Sequence, residues 1–200
     1  MAIPRLAASS KRARRRGATI VFVDQTGVLL NPLVRRTLAP KGQTPTLIVR
    51  GRHRQKVSVM AALTLSPRRN RLGLYFTTLQ DGYFQTEQVV DFVRDLLRHL
   101  RGRVILVWDG WNVHRKAARL VRSRRLETVP LPSYAPELNP VEHLWNRLKW
   151  THLANAAPAD STELHARLRP LLHQARLSTP CLQSFWQGAR LPLHQLKLRR

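Results

Sequence analysis

Val104-Ile-Leu-Val-Trp-Asp109-Gly110 is the stretch that decides how this chain folds. Five apolar residues in a row end on a carboxylate, and a glycine follows at once. Unbroken apolar runs mark strands covered on both faces, as in the interior of parallel sheets. Asp109 would then stand at the carboxyl end of such a strand, where open α/β sheets place their ligands. Asp-Gly is also ordinary turn chemistry, with Asp as a cap and Gly supplying a positive φ. A second apolar run, Ala18-Thr-Ile-Val-Phe-Val23, ends in the same way on Asp24. If the two strands lie side by side and parallel, the two carboxylates become neighbours. Gln25-Thr-Gly27 is expected to turn the chain into Val28-Leu-Leu30, with Asp24 opening that turn.

The other elements follow from periodicity and punctuation. Val57–Leu65 and Leu72–Thr77 read as an antiparallel pair joined by the polar connection Ser66–Arg71. Thr86 caps an amphipathic helix whose apolar stripe is Val89, Val93, Leu96, Leu97 and Leu100, and Gly102 stops it. His114–Arg122 reads as a short basic helix and Leu126–Leu131 as a further strand. Asn139-Pro-Val-Glu142 opens another helix, with Asn as N-cap, Pro at the first position and Glu at the third. Asp160 and Glu163 repeat that logic before a Leu-rich helix expected to bend at Pro170. Strand-strand-strand-helix-strand-helix-strand indicates an α/β fold with a mixed five-stranded sheet flanked by helices. Residues 1–17 read as a flexible basic arm, 18–155 as the main domain, and 156–200 as a helical extension packed on it.

The charge is the other unusual feature. Lys and Arg total 35 against 11 Asp and Glu, a net charge of +24 on 200 residues. Such a field attracts polyanions and releases their counterions on contact, so nucleic acid is the expected partner, and a structural nucleic-acid-binding protein would be equally basic. One cysteine, Cys181, excludes an internal disulfide and a cysteine-based zinc site and suits a reducing compartment. No apolar run approaches a membrane span.

With so few acids, roles can be assigned by elimination. Glu87, Asp91 and Asp95 fall on the solvated side of a helix, Asp81 sits in a turn, Asp160 and Glu163 cap, and Glu127 starts a strand. Asp24, Asp109, Glu137 and Glu142 remain. Carboxylates at buried strand ends suit Mg²⁺, which takes oxygen ligands from a few carboxylates together with substrate phosphates. Two such ions can activate an attacking oxygen and stabilise a leaving one. Glu142 is explained by capping alone, but a helix N-terminus favours the ionised form that a metal needs. Glu137 ranks below it as the alternative third ligand. Arg50-Gly-Arg52-His-Arg54 is a basic loop tip, either a phosphate contact or a solvated hairpin end.

Three blocks carry a family resemblance: Val23-Asp24-Gln-Thr-Gly27, Leu106-Val-Trp-Asp109-Gly-Trp-Asn-Val-His114, and Leu131-Pro-Ser-Tyr-Ala-Pro-Glu-Leu-Asn-Pro-Val-Glu142-His-Leu-Trp145. Together they resemble DDE transposases of the bacterial insertion-sequence branch of the mariner superfamily, over about residues 18–150. The third block is the most specific. The resemblance implies an RNase H-like fold, Asp24, Asp109 and Glu142 as a catalytic metal triad, and two Mg²⁺ or Mn²⁺ ions. It also implies cleavage at transposon ends, joining of the freed 3′-OH to target DNA, a homodimer on paired ends, and a place on the bacterial nucleoid. His114 matches a histidine of the second block and reads as a phosphate or leaving-group contact, or as a plain helix-start histidine. The expected DNA contacts are His114, Arg115, Lys116 and Lys149, with Arg50, Arg52 and Arg54.

The chain departs from the family pattern in four ways. Gln25 stands where Glu is frequent, Gly110 where Asn is frequent, and thirty-two residues separate Asp109 from Glu142, slightly fewer than usual. No helix-turn-helix region precedes Asp24, so the chain reads as a catalytic half: a separate or frameshifted reading frame, whose end recognition would come from a helix-turn-helix chain encoded upstream, or a truncated remnant. A hydrolysis-only RNase H-like nuclease and an inactive basic DNA-binding remnant are the competing readings.

Overall fold

The two apolar runs that end in Asp24 and Asp109 are adjacent parallel strands at the middle of a five-stranded sheet. The computed structural model describes residues 3–31, 33–49, 55–66, 71–132, 135–189 and 191. Helix α1 (Ile3–Arg16) leads into β1 (Thr19–Leu29), β2 (Lys56–Ser66) and β3 (Arg71–Gln80). Helix α2 (Thr86–His99), β4 (Val104–Trp108), α3 (Asn112–Leu120) and β5 (Leu126–Pro130) follow. A short 3₁₀ turn at Pro136–Leu138 precedes α4 (Pro140–Asn146), which runs into a π-helical segment, Arg147–His152. Helices α5 (Ser161–Leu177) and α6 (Thr179–Gly188) complete the described chain.

The sheet order is β3-β2-β1-β4-β5, antiparallel through β3, β2 and β1 and parallel from β1 through β4 to β5. Strand alternation divides the core into two layers. Ile20, Phe22, Val57, Val59, Ile105 and Val107 face α4, α5 and α6, whose Leu144, Leu168, Leu172, Phe185 and Trp186 complete that layer. Val21, Val23, Met60, Leu106 and Trp108 face α2 and α3, meeting Val89, Val93, Leu96 and Ala117. Both faces of the inner strands are therefore covered, which is why β4 reads as an apolar run rather than as an alternation. The last helix belongs to the same core: the Trp186 ring meets Phe22 of β1 edge-on, with centroids 5.4 Å apart.

Several expectations are corrected. β1 does not turn after Asp24 but continues to Leu29, because Gln25–Leu29 stays paired with Met60–Lys56 of β2. Residues 3–16, read from the sequence as part of a basic arm, form a helix. Arginine, alanine and leucine are good helix formers, the helix buries Ala13, and Arg12 and Arg16 pair with Glu127 of β5. The N-cap of α2 is Gln85, not Thr86, and it closes a capping box with Gln88. Helix α5 runs on through Pro170, and the break falls at Ser178, whose side chain accepts from Cys181 N and caps α6. The connection at 67–70 and the basic C-terminal end beyond 191 lie outside the described residues. Among the described residues no helix is long and apolar enough to cross a membrane.

Because Trp186 fills the layer beneath Phe22, Trp186→Ala should lower the free energy of unfolding by about 3–5 kcal/mol, as large-to-small changes in a closed core do. Urea titration should register this as a single shifted transition. A separate, less stable transition for the C-terminal helices would show that they do not share the core.

Candidate active site

Sheet register brings the first two carboxylates together. β1 and β4 pair in parallel from Thr19↔Val104 to Phe22↔Val107. Carried two residues further, that register sets Asp24 level with Asp109; Asp24 meets Trp145 of α4, whereas Asp109 meets His114 of α3. β1 runs on as an antiparallel partner of β2 while β4 stops, so Asp24 lies inside a strand and Asp109 at a strand end. The third carboxylate comes from the N-terminus of α4. There Asn139 accepts from Val141 N, and Glu142 occupies the third helical position.

Asp24 is the most strongly perturbed of these groups. Burial pushes its carboxyl up to about 6, the Glu142 and Asp109 carboxylates add to the rise, and hydrogen bonds from Trp145 and the Gln25 backbone oppose it. The Trp145 indole N–H donates to Asp24 Oδ2 at 2.9 Å. Trp145 follows Glu142 by three residues on α4, so one helical turn delivers both a carboxylate and a donor to the same place. Lys149, seven residues after Glu142 and therefore two turns along, donates from Nζ to Thr26 Oγ1 at 2.6 Å. Burial lowers its ammonium pKa, against the pull of Glu142 and Asp24. Lys149 lies on the π-helical segment, a local widening often found where side chains serve a site.

Asp109 is held differently. Burial would raise its pKa, but hydrogen bonds from His114 and from Trp111 N outweigh that, and the group titrates below the usual carboxylate range. His114 Nδ1 lies 2.5 Å from Asp109 Oδ1, and Trp111 N donates to the same oxygen at 3.0 Å. The Gln25 side-chain nitrogen is 3.0 Å from His114 Nε2. An amide nitrogen can only donate, so Nε2 accepts and the imidazole proton sits on Nδ1, aimed at Asp109. The ring is 1% exposed, stacked on Trp108 with centroids 4.8 Å apart and met edge-on by Trp111. His114 is thus a rigid donor to Asp109 rather than a side chain open to solvent.

The remaining expected residues divide. Arg115 and Lys116 are exposed on the first turns of α3, next to His114. Arg50, Arg52 and Arg54 lie outside the described residues, as do Ser133 and Tyr134 of the third block. Glu137 lies exposed in the 3₁₀ turn before α4. A cleft of about 330 Å³ opens beside Asp24 and Asp109, lined also by Gln25, Ser58, Tyr83 and Trp111. Among the described residues no three carboxylate or imidazole groups are drawn together closely enough to hold a metal ion. Their donor chemistry nonetheless suits a hard divalent cation: three carboxylates, the Asp24 carboxyl raised to about 6 chiefly by burial and further by the other two. Two members of the site escaped sequence reading. Trp145 could have been flagged by its spacing from Glu142, whereas Gln25 offered no local signal for a bond spanning 89 residues.

The fold has solved counterparts. The paired-end complex of the mariner Mos1 transposase with Mn matches at a TM-score of 0.65 and 20% identity, over 98% of this chain and 57% of that one. The Mos1 strand transfer complex matches at 0.63 and 20%, over 98% and 56%. The Mos1 paired-end complex with Mg matches at 0.63 and 17%, over 100% and 61%. These likenesses establish the RNase H-like fold, and the chain spans less than two thirds of the length of the proteins it matches. No curated protein is significantly similar in sequence. The sequence model described as DDE superfamily endonuclease matches residues 19–165, which take in Asp24, Asp109 and Glu142 together, and the chain belongs to that family.

Proposed function

We propose that the chain is the catalytic domain of a transposase of the bacterial insertion-sequence branch, cleaving DNA at transposon ends and transferring the freed 3′-OH to target DNA. The observation that carries this reading is geometric: the parallel register of β1 and β4 sets Asp24 level with Asp109, and Trp145, one turn after Glu142 on α4, donates to Asp24. Membership of the DDE superfamily endonuclease family and the likeness to DNA-bound Mos1 complexes support it. Asp24, Asp109 and Glu142 would hold two Mg²⁺ or Mn²⁺ ions. When bound, such ions activate the attacking oxygen and stabilise the leaving one in phosphodiester displacement.

The protein's own groups have separable tasks. His114 holds Asp109 ionised and in one orientation, the support commonly given to a metal ligand by its hydrogen-bonded neighbour. Trp145 does the same for one oxygen of Asp24. Lys149 sets a cation beside Glu142 and Asp24, where a scissile phosphate would approach, and Arg115 and Lys116 extend that charge along α3. A homodimer on paired ends, and a separate helix-turn-helix chain for end recognition, complete the proposed assembly in the bacterial cytoplasm.

Three outcomes are expected. First, with Mn²⁺ or Mg²⁺ the wild type should nick supercoiled plasmid, and Asp109→Asn should not. On a plasmid carrying the transposon ends, joined products should accompany nicking. Salt-sensitive DNA binding indifferent to metal and to Asp109→Asn would leave only an inactive remnant, and nicking without joining would leave a nuclease. Second, His114→Ala should reduce Mn²⁺ affinity by about 10–100-fold with the fold intact, as read by calorimetry beside circular dichroism.

Third, Asp24 makes stability depend on pH. Its folded-state pKa of about 6 exceeds the unfolded value near 3.8, so between the two the folded chain keeps a proton that the unfolded chain has lost. Its contribution is therefore lost as pH rises through that window, reaching on the order of 3 kcal/mol above pH 6. In chelator, wild-type stability relative to Asp24→Asn should fall between about pH 4 and 6 and level off beyond. Parallel profiles for the two proteins would refute the buried, charge-crowded environment.

A further inference from the structure

The opposite end of the sheet is as basic as the catalytic end is acidic. The amino ends of β1, β4 and β5, the carboxyl end of β2 and the amino end of β3 meet there, since Thr19 pairs with Val104, Val104 with Leu126, and Ser66 with Arg71. The last turn of α1 and the loops and strand ends at this edge carry Arg14, Arg15, Arg71, Arg101, Arg103 and Arg124, all exposed. Among the described residues none of the six has a carboxylate partner. The acids in the neighbourhood are already engaged, Glu127 by Arg12 at 3.1 Å and Asp95 by Arg98 at 2.6 Å.

Part of the local basic excess is structural. Arginines in the last turn of α1 complement the helix dipole. Arg125 caps the end of α2, donating to the carbonyls of Leu97, Leu100 and Gly102. Those tasks do not account for Arg71 at the start of β3, Arg103 before β4 or Arg124 before β5. Beside Arg71 and Arg101 the edge opens into a cleft of about 580 Å³, whose wall includes Thr64, Ser66, Tyr75 and His99. Across the cleft floor Gly73 pairs with Thr64, and a Cβ at Gly73 would come within 2.7 Å of the Thr64 hydroxyl, so glycine keeps that floor open. Hydroxyls and guanidinium groups around an open cleft are the donor set that phosphate oxygens take.

We propose that this edge is a second DNA-backbone surface, separate from the catalytic one. Six residues of extended chain separate Arg103 from Asp109, about 20 Å at the rise of a strand. The two surfaces lie at opposite ends of β1 and β4, so a straight duplex lying across one end of the sheet does not reach the other. The chain therefore engages two duplex segments, or one duplex that bends around it. The choice of DNA as the polyanion rests on the function proposed above; the existence of the second surface does not.

The test compares the wild type with the triple variant R71A/R101A/R103A and with a charge-matched control, R94A/R167A/R169A, on the outer faces of α2 and α5. Duplex DNA binding is measured across a salt series, and metal-dependent plasmid nicking at saturating DNA is measured alongside. The edge variant should bind more weakly, with the slope of log affinity against log salt shallower by about 2–3, the loss expected for three phosphate contacts. Its nicking at saturation should equal that of the wild type, and the control should move the slope by less than about 1. An edge variant with wild-type affinity and slope, or a control that loses as much as the edge variant, overturns the proposal. Absence of nicking in the wild type itself counts instead against the catalytic reading and leaves the binding comparison valid.

Discussion

A half-buried carboxylate within the field of two others, in a protein with a net charge of +24, is the constraint around which this structure is arranged. Asp24 lies within a strand covered on both faces, where ionisation is costly unless a cation or donors compensate. The chain supplies some compensation through the Trp145 N–H and the nearby Lys149 ammonium, and leaves the remainder unmet. Residual repulsion of this kind carries an energetic cost, and such cost concentrates at functional sites. A divalent metal bound there would relieve it, so the electrostatics and the proposed chemistry point to the same place.

The topology explains how three residues distant in sequence come to one end of the sheet. Parallel pairing of β1 with β4 aligns Asp24 and Asp109, and β2 prolongs β1 past the end of β4 so that Asp24 stays rigid. Helix α4 lies on the same face, its N-terminus aimed at the strand ends through the Asn139 cap. The two carboxylates of the sheet then differ in character. Asp109 is kept ionised by His114 and Trp111 N, while Asp24 is driven toward protonation. Two carboxyl groups with opposed shifts would make cation binding at such a site depend on pH.

Much of this was legible in the residues. Continuous apolar runs revealed the inner strands, because coverage on both faces removes the need for alternation. The Asn139-Pro-Val-Glu142 signature located α4, because capping chemistry is local. What was not legible depends on contacts distant in sequence. Gln25 looked like a turn residue until β2 extended the ladder beneath it, and its bond to His114 has no local trace. Helix α1 was hidden by its charge, since a run of arginines reads as a solvated tail unless Glu127 and the burial of Ala13 are seen. The basic far edge was hidden for a related reason: its arginines come from separate parts of the chain and become one surface only when the strands are in register.

With its carboxyl raised to about 6, Asp24 would have to give up a proton to a divalent metal bound below that pH. Calorimetric titration with Mn²⁺ in two buffers of different ionisation enthalpy measures that proton directly, because ligands must deprotonate on binding. At pH 5.5, below the Asp24 value of about 6, the account predicts release of roughly 0.5–1 proton per chain, falling toward zero at pH 7.5 and absent in Asp24→Asn. Equal release at both pH values, or none with tight binding at pH 5.5, would contradict it.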